Sequence, residues 1–125
     1  MEWPIAQIKI QRSIKLGTDL NTPNSTYRYV LSTNATIKSV RYGYKSESGF
    51  IVTIGKTSSI SIPWGMLKQC FFQLQSLQGY DGKYFRERFP IQAQDHPCHV
   101  HVIGQIFVVA EIAYLDGNKY RILKN

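Results

Sequence analysis

Between Ile60 and Pro90, ISIPWGMLKQCFFQLQSLQGYDGKYFRERFP, the apolar spacing changes from the alternation of a strand to the three-and-four spacing of a helix. A chain that switches in this way near its midpoint is constrained to an α+β fold, with a sheet first and helices after it. Trp64, Leu67, Phe71 and Leu74 fall at i, i+3, i+7 and i+10 and form one apolar stripe; Gln78, next in the series, does not extend it. Pro63 suits the first helical position, where its missing N–H costs nothing, and Gly79 suits the stop, although Ile62 is a poor N-cap. A second helix opens at Asp81, a good N-cap, pairs Phe85 with Phe89 one turn apart, and stops at Pro90. Its other side carries Lys83 and Arg86, so the helical layer has a basic outer face.

The first half reads as strands. Apolar residues at 8, 10, 14 and 16, interrupted by Arg12, predict an amphipathic strand from Ile8 to Leu16. A polar loop from Gly17 to Thr26 follows. Tyr27 to Leu31 and Ile37 to Tyr44 then predict an antiparallel pair turning at Thr33-Asn34. After a turn at Glu47-Ser48-Gly49, Phe50, Val52 and Ile54 alternate, and a short strand from Ser59 to Ile62 leads into the helices. The expected sheet is small and mostly antiparallel, or a partial barrel.

Beyond Pro90 the pattern forks. Val102, Ile103, Ile106, Phe107, Ala110 and Ala113 have helical spacing, which favours a helix from Cys98 to Ala113, with Gly104 allowing close approach to the first helix. The β-branched valines and Gly104 itself argue for a strand. Asp116-Gly117 predicts a turn, and Lys119 to Leu123 a closing strand. The whole is about three helices after a sheet, an arrangement compatible with a winged helix, in a single domain over residues 1–125.

Fifteen Lys and Arg against eight Asp and Glu leave a net charge of +7, which draws a protein of this size toward polyanions. No basic residues run consecutively, so the inference depends on whether folding gathers them. Lys83, Arg86 and Arg88, with Tyr84 beside them, are the expected phosphate contacts, and Arg121 on the last strand would act as a wing. Arg41 lies among Arg28, Lys38, Lys45 and the tyrosines 27, 29, 42 and 44, the interleaving of cations and rings that tracks single strands. The plainer reading of both sets is a solvated face and a rim of tyrosine hydroxyls. Gly55-Lys56-Thr57 is not a phosphate loop, because Gly49 and Gly55 have five residues between them and not four; Lys56 remains a non-specific phosphate contact.

His96, Cys98, His99 and His101 are the densest set of potential ligands. A structural zinc site needs four, and Cys70 alone could complete one, so no metal and no cofactor are expected. A Cys98 nucleophile with a histidine base is the corresponding enzyme reading, and no local motif supports it. Two cysteines do not indicate a disulfide scaffold, and without a leader or an apolar run of membrane length the expected setting is cytoplasmic, with no membrane partner.

The segments ISIPWGMLKQCFFQL, YDGKYFRERFP and HPCHVHVIGQIFV resemble uncharacterised small bacterial proteins of mobile-element or integron-cassette type, in which short strands precede a few helices. The resemblance implies a bacterial accessory protein that recognises DNA, and it carries no catalytic motif. The expected function is therefore a non-enzymatic module binding DNA or RNA through the phosphate backbone. The alternatives are a structural or protein-interaction role, as a homodimer through Ile103 to Ala113, and, third, a metal-dependent or Cys/His enzyme built on residues 96–101.

Overall fold

A computed structural model describes residues 1–124 and has the order α1 (Trp3–Ser13), β1 (Arg28–Ser39), β2 (Tyr44–Ile54), β3 (Ser58–Pro63), α2 (Trp64–Leu74), α3 (Gly82–Arg88), α4 (Pro90–Asp95), α5 (His99–Val109), β4 (Ala113–Asp116) and β5 (Lys119–Ile122). The class is α+β, as the change of spacing at Ile60 predicts. Several elements differ from expectation, each for a physical reason.

The first difference is α1, where alternation predicted a strand from Ile8. Pro4 sits in its first turn, and Ala6, Ile10 and Ile14 recur every fourth residue on the buried side. Ile5 and Ile8 remain 51% and 46% exposed, so the alternating pair Ile8 and Ile10 is split between solvent and core.

The main sheet has the order β1-β2-β3, antiparallel throughout and open, so among the described residues it closes into no barrel. β1 is one long strand, and Thr33-Asn34 falls in a register irregularity between Ser32 and Ala35 where a turn was expected. The hairpin turns instead at Val40 to Gly43, with Gly43 at φ +74°. Glu47-Ser48-Gly49 lies inside β2; a Cβ on Gly49 would collide with the Ile62 carbonyl of β3, which is why glycine stands there.

α2 buries Met66, Leu67, Cys70, Phe71 and Leu74, and Trp64 meets Trp3 and Phe50 at ring distances of 6.1 and 5.1 Å. Pro63 is its N-cap residue and not its first helical one, and the helix ends at Leu74, short of Gly79. The Asp81 carboxylate caps α3 by accepting the Tyr84 N–H at 3.0 Å, as expected. Pro90 ends α3 and at once begins α4, a helix the sequence reading did not anticipate.

α5 is a helix, so spacing outweighed the β-branched valines. It carries Val100, Val102, Ile103, Ile106 and Phe107 into the core. Gly104 permits close approach, but to Tyr120 of β5 and not to another helix: a Cβ there would overlap the Tyr120 ring. The expected closing strand is one half of a hairpin, β4 pairing β5 around Gly117 at φ +65°. Tyr80 and Tyr120 exchange main-chain hydrogen bonds of 3.0 and 2.8 Å, tying that hairpin to the segment before α3. Among the described residues no helix is long and apolar enough to cross a membrane.

Because the Tyr120 ring occupies the place of the missing side chain, Gly104→Ala is expected to destabilise the fold by about 1–3 kcal/mol despite alanine's better helix propensity. Urea midpoints of the two proteins check this; an unchanged or raised midpoint would contradict the packing.

Candidate nucleic-acid interface

The capped start of α3 fixes how its side chains are presented. Lys83, Arg86 and Arg88 are all exposed, with Phe85 buried on the opposite side of the helix from Lys83. Arg88 lies with its guanidinium 5.3 Å from the Phe89 ring, so it borders the helix and does not share the face of Lys83. Tyr84 packs inward: its hydroxyl donates to the Gln69 carbonyl at 3.4 Å and its ring meets Tyr80 at 6.1 Å. It is a packing group more than a stacking platform.

Beside α3 is a cleft of about 440 Å³ whose charged walls are Lys83, Lys119, Asp81 and Glu87. Lys119 is committed, its Nζ 3.4 Å from the Asp81 carboxylate and 3.0 Å from the Gln78 carbonyl to which it donates. Partial burial opposes ionisation of Asp81, but the Tyr84 N–H and Lys119 outweigh it and hold the carboxyl below its usual range. Among the described residues, Lys83 is thus the cation of this cleft that has no carboxylate partner.

Two expected contacts are spent elsewhere. Arg41 donates from Nε and Nη2 to both Asp95 oxygens, at 2.6 and 2.7 Å, and the Tyr42 hydroxyl donates to the same carboxylate at 2.6 Å. Gln92 of α4 donates to the Tyr44 hydroxyl at 2.9 Å. Since β3 pairs with β2 only from Gly49 to Ile54, residues 36–39 and 44–48 form a two-stranded ribbon, and these bonds strap it to α4. Arg121 bonds Asp116 at 2.9 Å and the Leu77 carbonyl at 3.2 Å, clasping the C-terminal hairpin to the loop after α2 in place of projecting as a wing. Lys56 sits in the β2–β3 turn, 5.7 Å over the Tyr27 ring. What the ribbon tip does offer is Lys38 and Lys45, both exposed, on either side of a fully exposed Val40.

The His and Cys cluster begins α5 and does not lie on a strand, so His99 and His101 do not share a face. His99 is buried, stacked on Phe85 at 5.5 Å, with Nδ1 3.0 Å from the His96 carbonyl; burial pushes its pKa down. His101 places Nδ1 2.9 Å from the Tyr120 hydroxyl, and burial, then the charge of Arg28, lower its pKa too. Both shifts favour the neutral imidazole. Burial raises the thiols of Cys70 and Cys98, which rules against a standing thiolate. Among the described residues no three His, Cys, Asp or Glu side chains are placed to share a metal ion. Ile103, Ile106 and Phe107, expected at a homodimer interface, are inside the core, and of the Ile103 to Ala113 element only Val108, Val109 and Glu111 reach the surface.

Compared with known proteins, the chain matches no family model, no curated protein and no solved structure.

Sequence reasoning missed Asp95 as the clamp, because its partner Arg41 is fifty-four residues away; the one local signal was Arg41-Tyr42-Gly43 as a turn. Hydrogen bonds from Arg41 and Tyr42 hold the Asp95 carboxyl well below the usual carboxylate range. The folded protein thus binds that proton less readily than the unfolded chain. The clamp acts fully above the unfolded value near 3.8 and is lost as pH falls toward the lower folded one. Asp95→Asn is expected to flatten the acid limb of the stability curve and to speed amide exchange in residues 38–46 at pH 7. Because the pair is at the surface, high salt should mimic part of the second effect.

Proposed function

We propose that the chain is a non-enzymatic nucleic-acid-binding module that contacts the phosphate backbone through Lys83, Arg86 and Arg88 on α3, joined by Lys38 and Lys45 at the ribbon tip. The observation that supports this is the distribution of ion pairs. The described residues form three, using Arg41, Lys119 and Arg121, so most of the fifteen Lys and Arg side chains have no carboxylate partner. Such cations release condensed counterions when they meet a polyanion, whereas paired ones first have to break a bond. Arg41 and Arg121 leave the contact set for that reason, Tyr84 because it packs inward, and Lys56 stands apart in its own turn.

If five cations engage, log affinity should fall with log salt at a slope of about −4.5 on duplex DNA and about −3.5 on a single strand. Fluorescence anisotropy with a random DNA duplex and a random RNA strand at several salt concentrations measures it. Lys83→Ala and Arg86→Ala should each weaken binding alike on all sequences and reduce the slope by about 1. Absence of saturation at about 10 μM protein in low salt ends this reading.

A protein-interaction role has one observation in its favour: Ile5 and Ile8 are exposed side by side on the outer surface of α1. A homodimer through this face would sediment as a dimer that Ile8→Lys converts to a monomer. A wild-type monomer at all concentrations removes the homodimer.

A further inference from the structure

Away from α3, the loop after α1 and the turn between β4 and β5 enclose a cleft of about 360 Å³ lined by Thr22, Ser25, Arg28, His101, Leu115 and Asn118 among others. Among the described residues no carboxylate lines it. Arg28 stands on the same face of β1 as the buried Val30, which turns its guanidinium inward toward α5. Its Nη1 is buried and has no acceptor among the described residues, whereas buried donors are nearly always paired.

A second donor comes from His101. Tyr120 is fully buried, so its hydroxyl proton needs an acceptor; Gln105 Nε2 donates to that oxygen at 3.4 Å, which leaves His101 Nδ1, at 2.9 Å, to receive the proton. The neutral imidazole then carries its own proton on Nε2, which has no acceptor among the described residues. The Thr22 and Ser25 hydroxyls, hydrogen-bonded to each other at 2.9 Å, leave one further O–H donor at the wall, and Leu115 adds an apolar surface.

We propose that this cleft binds a small organic oxyanion, a carboxylate or phosphate monoester, whose head group takes protons from the part of the Arg28 guanidinium that lines the cleft and from His101 Nε2 while the rest of the molecule lies against Leu115. A guanidinium with an unused donor and no carboxylate is the group that recognises such a head. The cleft is larger than a bare ion requires, which is why the ligand is organic.

The full chain, ¹⁵N-labelled, is titrated with inorganic phosphate and separately with acetate, against sodium chloride at matched ionic strength. Saturable amide shifts at Ser25, Arg28, His101 and Asn118 are expected with at least one oxyanion and not with chloride; the anion that binds tighter identifies the head group. Arg28→Lys, which keeps the charge and loses the fork, should weaken binding about tenfold, and Arg28→Met should abolish it with the spectrum otherwise retained. Should Arg28→Met not fold, Arg28→Lys decides the question. Shifts equal to those with chloride, or titrations unchanged in the Arg28 variants, overturn the proposal. Lys83→Ala should leave this binding intact, so loss of nucleic-acid binding and loss of oxyanion binding are separable.

Discussion

The fold rests on the burial of α5. Val102, Ile103, Ile106 and Phe107 have no exposed surface, and burying each stabilises the fold by about 1.5–3 kcal/mol relative to exposure. A helix without a polar face has to be surrounded, so α1, α4 and the C-terminal hairpin close over it from different sides. Phe107 meets Phe71 of α2 and Tyr80 at 6.4 and 6.3 Å, and Gly104 lets Tyr120 press directly on the helix. With Tyr80 and Tyr120 joined by their main chains, the two ends of the helical half form one unit.

This enclosure explains how the charges are used. Short elements packed round one helix need ties at their ends, and three aspartates provide them. Asp95 holds the β-ribbon to α4, Asp81 caps α3 and takes Lys119, and Asp116 holds the Arg121 that also reaches Leu77. Surface pairs of this kind contribute little energy each, but they decide which cations remain free. The excess of lysine and arginine over carboxylates is consequently met at the surface by solvent.

Legibility followed the range of the determining interaction. The α2 stripe, the Asp81 cap and the helical nature of α5 depend on residues within a turn or two of each other; the sequence showed the first two and favoured the third over a strand. α1 was misread because Ile8, Ile10 and Ile14 fit alternation as well as a helix, and only packing against α5 selects the Ala6, Ile10, Ile14 face. Thr33-Asn34 has turn composition, yet long pairing on both sides carries β1 through it as an irregularity. Of the candidate contacts, Lys83, Arg86 and Arg88 stayed at the surface as expected. Arg41 and Arg121 did not stay free, because their acceptors arrive from other elements.

By itself the sequence determined the α+β class, the place where sheet gives way to helix, and the surplus of positive charge, since periodicity and composition are local or additive properties. Tertiary structure alone decided which cations are neutralised, that His99 and His101 are separated with both pKa values lowered by burial, and that the half-buried Arg28 has one buried donor unpaired among the described residues. Those outcomes depend on partners brought from distant positions to within hydrogen-bond reach, and on the desolvation that comes with close packing, neither of which is encoded in spacing.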